Sequence, residues 1–90
     1  MKLYKYENGS ANASGRHIRK RREELGMSQE ELAGKLQLAG LPISQKAISR
    51  IENGERVVPD FELLYFAEAL RISPAGLLGR EGKEEKSDER

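Results

Sequence analysis

Between residues 14 and 79 the apolar positions recur at helical spacing, and no alternating run competes with them. Leu32, Ala33 and Leu36 fall on one face of a segment from about Gln29 to Leu38. Ala47, Ile48 and Ile51 do the same from about Gln45 to Asn53. Leu63, Phe66, Ala67 and Leu70 keep the i, i+3, i+4, i+7 period of a core helix, which begins at Pro59 or Asp60. Ahead of these, Ile18 and Leu25 give a narrower stripe to a first helix that runs through about Leu25. After them, Ile72-Ser73-Pro74 supplies staple, cap and first-turn proline for a short helix ending at Gly79. The pattern predicts an all-α domain of about five short helices.

The ends of these helices are written into the sequence as well. Ser14 is the expected N-cap of the first helix, and Gly26 its stop. Ser28 with Glu31 makes a capping box for the second, with Met27 and Leu32 as its staple. Ser44 is the candidate cap of the third, Ile43 and Ile48 its staple, and Gly54 the left-handed residue that closes it. Two capped amphipathic helices in succession suggest a helix-turn-helix.

The ends of the chain look different. Residues 1–13 hold no helical period and contain Asn8-Gly9-Ser10, so they read as a flexible N-terminal arm or an appended leader. Residues 80–90 alternate acids and bases without an apolar side chain and read as a disordered charged tail. The folded domain is therefore assigned to 14–79.

Composition narrows the functions available. Ninety residues, 34% of them charged, suffice for one small core. There is no cysteine, hence no disulfide framework and no thiolate chemistry. His17, the single histidine, has no recognisable catalytic partners and reads as a surface residue, so no enzyme and no cofactor is expected. No stretch is apolar for long enough to span a bilayer, and the polar start is not a secretory signal, which points to a cytoplasmic protein with no membrane partner. The formal net charge of +1 conceals a gradient: the chain through Arg56 carries +4 and the remainder −3. Such an asymmetry suits a domain that presents one face to phosphates, although scattered surface charge would look the same.

Residues 15–79 resemble the Cro/C1-type, or XRE-type, helix-turn-helix domains of bacterial and phage regulators. The resemblance runs through Ile18-Arg19, Arg22, Ser28-Gln29-Glu30-Glu31-Leu32-Ala33, Ile48-Ser49-Arg50-Ile51-Glu52-Asn53-Gly54, Arg56, and the helix holding Ala67 and Leu70. It implies a compact five-helix bundle of the lambda-repressor-like type and a sequence-specific, DNA-binding transcriptional regulator, with the third helix in the major groove. Gln45, Lys46, Ser49 and Arg50 are then the base-reading residues, and their chemistry agrees. Glutamine can pair with adenine in a bidentate manner, arginine or lysine with guanine, and serine is permissive. Gln29, Ser44, Asn53 and Arg56, with Arg16 and Arg19 on the first helix, are the implied phosphate contacts; Asn53 before Gly54 is equally what a helix end needs for itself. Arg22 and Glu52 are implied to pair structurally between the first and third helices. The expected partner is double-stranded DNA with a palindromic or repeated operator, bound by a homodimer. A second reading, from a different class, is a protein-interaction module, an adaptor or antitoxin-like partner using the same fold; Phe61 and Tyr65, off the core stripe of the fourth helix, motivate it.

The sequence departs from the family in one place. The connection between the second and third helices is about five residues longer than usual, through Gln37-Leu38-Ala39-Gly40-Leu41-Pro42-Ile43. Gly40 and Pro42 are turn formers, and Leu38, Leu41 and Ile43 are expected to pack the loop down, which marks a subtype with a lengthened turn.

Overall fold

The computed structural model describes residues 4–80, so the expected charged tail, 80–90, lies outside the described residues apart from Arg80, as do residues 1–3 of the expected N-terminal arm. Five α-helices follow a short 3-10 turn at Glu7–Gly9: α1 (Gly15–Glu24), α2 (Gln29–Leu38), α3 (Gln45–Glu52), α4 (Asp60–Leu70) and α5 (Pro74–Leu77). There is no strand among the described residues. The all-α expectation holds, and the fourth helix starts at Asp60 with Pro59 in front of it as the capping residue.

The helix ends explain the spacing. Ser28 Oγ accepts the Glu31 amide at 3.0 Å while the Glu31 carboxylate accepts the Ser28 amide at 2.8 Å, the expected capping box. Ser44 and Ser73 cap α3 and α5 from one side only, accepting the Ala47 and Gly76 amides. All five helices close with the double bond of a Schellman turn; in α3, Gly54 N–H donates to Ile51 and Glu55 N–H to Arg50. The left-handed residue is glycine at four of these ends and Arg71, with φ of 55°, at the end of α4.

One cap differs from expectation. Ser14 is buried, has helical backbone angles and makes no capping bond. Asn12 replaces it: its Oδ1 accepts the Gly15 amide at 2.8 Å. The reason is that the preceding chain does not float free. Ala11 N–H donates to Gly54 at 2.8 Å and Asn12 Nδ2 to the Ile51 and Arg56 carbonyls, so residues 11 and 12, within the stretch read as an arm, are bonded to the end of α3 and the loop beyond it.

The core is assembled from Ile18 of α1, Leu32, Ala33 and Leu36 of α2, Ile48 and Ile51 of α3, Phe66, Ala67, Ala69 and Leu70 of α4, and Leu77 of α5. α2 packs on α3 and α4, α1 packs on α3, α4 and α5, and α5 packs on α4. Leu41 and Ile43 pin the long α2–α3 connection into this core, as expected. Leu38 does not contribute and is 92% exposed, because the tight bonds of Gly40 and Leu41 back onto Gln37 and Leu36 turn it outward. Leu25 likewise sits at the exposed rim beyond the end of α1, leaving Ile18 as the apolar anchor of that helix. Of the two aromatic residues placed off the α4 stripe, Tyr65 leans on the core and Phe61 remains exposed.

Candidate nucleic-acid interface

α3 is buried along Ile48, Ile51 and Glu52 and opens its other side to solvent. Gln45, Lys46 and Arg50 are exposed and Ser49 is half-buried, so the four expected reading residues share the outward part of one helix. No acid lies within α3 other than Glu52, which faces inward.

Glu52 is the foundation of this face. Its carboxylate takes a two-pronged grip from Arg22, Nε to Oε2 at 2.8 Å and Nη2 to Oε1 at 2.9 Å, while Arg22 Nη1 donates to the Met27 carbonyl at 2.8 Å. The pairing implied by the resemblance is thus present, with side chains only 11% and 2% exposed. Hydrogen bonding to Glu52, against the cost of burial, raises the Arg22 pKa further above its ordinary value. No buried side-chain nitrogen or oxygen among the described residues lacks a partner.

From that pair a chain of bonds reaches the surface. Gln29 Nε2 donates to Glu52 Oε1 at 2.9 Å, and Gln45 Nε2 donates to Gln29 Oε1 at 2.7 Å. The polarity is forced, because an ionised carboxylate can only accept. Gln29 must therefore turn its amide nitrogen inward and its oxygen toward Gln45. Gln45 is left with its own oxygen and one N–H, the two groups a bidentate contact to adenine needs. Gln29 is thus occupied at both ends of its amide, and it orients a neighbour as well as standing at the start of α2.

The expected phosphate residues fall into separate groups. Arg16 and Asn53 are exposed and line one hollow of about 590 Å³, together with Lys5 and Glu55. Arg19 pairs with Glu23 at 3.1 Å on the surface, and Arg50 lies 3.9 Å from Glu55. Ser44 spends its hydroxyl on the Ala47 amide at 3.1 Å. Arg56 is held by Glu62 at 2.8 and 3.2 Å, an ion pair that raises the arginine pKa, and Glu62 is itself buried. Arg21, which carried no expectation, caps the end of α4 through the carbonyls of Leu70 and Arg71.

Two residues of this region carry no local signal. Glu62 lies in the first turn of α4, where an acid is ordinary for helix-dipole reasons. Asn12 sits in a stretch with no period, and its partners are 39 and 44 residues away.

The helix-turn-helix family profile HTH_3 matches residues 18–77, two thirds of the chain. Among solved structures, the restriction-modification controller protein C.AhdI from Aeromonas hydrophila is similar: 35% identical, with a TM-score of 0.61 over 70% of this chain and 84% of that one. No curated protein sequence matches. The capped α2–α3 pair, the buried Arg22–Glu52 bridge and the profile agree, and the chain belongs to the XRE-type (Cro/C1-type) helix-turn-helix family.

Proposed function

We propose that this protein is a sequence-specific transcriptional regulator that lays α3 in the major groove of double-stranded DNA. Family membership and the controller-protein neighbour support DNA-binding regulation in general. The observation that carries the finer reading is the Arg22–Glu52–Gln29–Gln45 chain of bonds, which fixes a base-reading side chain before any ligand arrives. Orienting Gln45 in advance removes rotamer entropy that binding would otherwise have to supply. Gln45, Lys46, Ser49 and Arg50 read base edges; Arg16 and Asn53, at the shared hollow, contact the backbone. Gln29, Ser44, Arg19 and Arg56 have their side chains engaged within the protein and contribute by holding elements in place; any phosphate contact they make is added to those bonds.

One such domain reads few base pairs, so useful affinity calls for two copies on half-sites about 34 Å apart, one helical turn, and hence a palindromic or repeated operator. Phe61 and Leu64, one turn apart on α4 and 56% and 60% exposed, offer apolar surface for a second copy. The same pair is what favours the second reading, an adaptor or antitoxin-like protein-interaction module.

Unbiased selection from random duplexes tests the proposal. The wild-type chain enriches a defined sequence, and Gln45→Ala with Lys46→Ala weakens binding to it by about 10- to 100-fold, the worth of one or two base contacts, while random duplex loses far less. Equal losses on both duplexes would remove base readout. No enriched sequence, with a stable heterocomplex recovered from cells, would favour the interaction module.

A further inference from the structure

The segment ahead of α1 is built around the end of α3. Asn12 Nδ2 donates to the carbonyl of Ile51 at 3.0 Å and to that of Arg56 at 2.8 Å, while its Oδ1 accepts from Gly15. One amide side chain therefore ties three points together: the last turn of α3, the loop beyond it, and the first amide of α1. Ala11 N–H adds a bond to Gly54, and Ser10 Oγ closes on the Asn12 carbonyl at 2.8 Å. The fit leaves no slack. A Cβ on Gly15 would stand 2.1 Å from the Ile51 oxygen, and one on Gly54 would stand 2.7 Å from Ser10 Oγ.

From this geometry we infer that residues 10–12 form a strap that positions the C-terminal turn of α3 for its contact with the DNA backbone, with Asn12 as the positioning residue. The inference rests on the DNA-binding reading given above. The strap acts where position matters most. Asn53 and Gly54 form the turn itself, Asn53 shares a hollow with Arg16 and Lys5, and the Arg56 carbonyl held by Asn12 belongs to the residue whose guanidinium Glu62 grips. Glu62 and Asn12 thus hold the two ends of Arg56, and between them they set the course of the loop from α3 to α4. A turn left free at one end would have to be ordered on binding, and that entropy would come out of affinity.

The test uses the full chain carrying Asn12→Ser. Serine keeps an acceptor for the Gly15 amide, as a good N-cap does, and removes both bonds donated to Ile51 and Arg56. Asn12→Asp is the second variant: it retains the cap and likewise has no N–H to donate. Both are studied at a temperature where circular dichroism matches the wild type. In the free protein, amide exchange at Gly54 and Glu55 accelerates about tenfold or more while Leu32 and Leu36 in α2 are unchanged. On the selected duplex, Asn12→Ser lowers affinity about tenfold with the slope of log K against log salt unchanged, since Asn53 and Gly54 carry no charge and no cation is lost, and the rank order of duplexes stays as in the wild type. Unchanged exchange at Gly54 and Glu55 overturns the inference. Wild-type affinity in Asn12→Ser also overturns it, leaving the DNA-binding reading intact. A wild-type chain that selects no duplex sinks both, so the two failures are distinguishable.

Discussion

Replacing Arg22 by methionine probes the centre of the design, because the methionine fills a similar space and removes only the charge and its donors. Three hydrogen bonds disappear, two to Glu52 and one to the Met27 carbonyl. The Glu52 side chain is 2% exposed and would keep one donor, Gln29 Nε2 on Oε1, with Oε2 left bare. Stranding a buried charge in this way costs about 3–5 kcal/mol. A 90-residue chain has about 5–13 kcal/mol of stability in total, so the loss is a large share of it. With a urea slope of about 1 kcal/mol per M, the midpoint moves down by about 3 M or unfolding is already under way in buffer. Adding Glu52→Leu removes the stranded carboxylate and restores most of the stability, since apolar replacement of a buried pair is commonly neutral or better. Specific DNA binding does not return with it, because Gln29 has lost the acceptor that aims it at Gln45. Urea titrations of the two single variants and the double variant, followed by circular dichroism, give the coupling energy. A loss below about 1 kcal/mol for Arg22→Met would refute the reasoning, since that is the worth of an exposed pair. Full specific binding by the refolded double variant would refute the role of the bond chain.

Two further predictions concern stability. Gly34 lies inside α2, and a Cβ there would meet nothing within 4 Å; Gly34→Ala should stabilise the domain by about 0.5–1 kcal/mol and raise Tm by several degrees in a thermal melt, and an unchanged or lower Tm would count against it. Burial, reinforced by the charges of Arg16 and Lys20, holds the His17 imidazole below its usual 6.5. The unfolded chain therefore takes up a proton that the folded one resists, so this contribution to stability is complete above pH 6.5 and is lost as pH falls through that value toward the lower native one. Urea midpoints measured from pH 7.5 to 5 should fall for the wild type and flatten in His17→Gln; an identical slope in both proteins would assign the effect to other groups.

Much of this protein was legible without coordinates, and the reason is range. Ser28 with Glu31, Ser44 with Ala47, and the Gly26 and Gly54 stops are interactions within five residues of themselves, and the rules that govern them are local. The core stripe of Leu32, Leu36, Ile48, Ile51, Phe66 and Leu70 follows from period alone. The Arg22–Glu52 bridge spans 30 residues, and it became visible only through resemblance to a family. Tertiary structure decided the rest. Asn12 displaces Ser14 as the cap because the path of the chain brings it against carbonyls 39 and 44 residues away. Leu25 satisfies a helical pattern and Leu38 is apolar enough to pack the long loop down, yet both face water, since apolar character and spacing leave open whether another element arrives to cover a side chain. Gln45 has the right chemistry for reading a base on sequence grounds; that it is aimed by Gln29, and Gln29 by a buried carboxylate, depends on three helices meeting at one point. Local sequence wrote the helices and their ends, and only their packing could settle which polar side chains were free and which were already held.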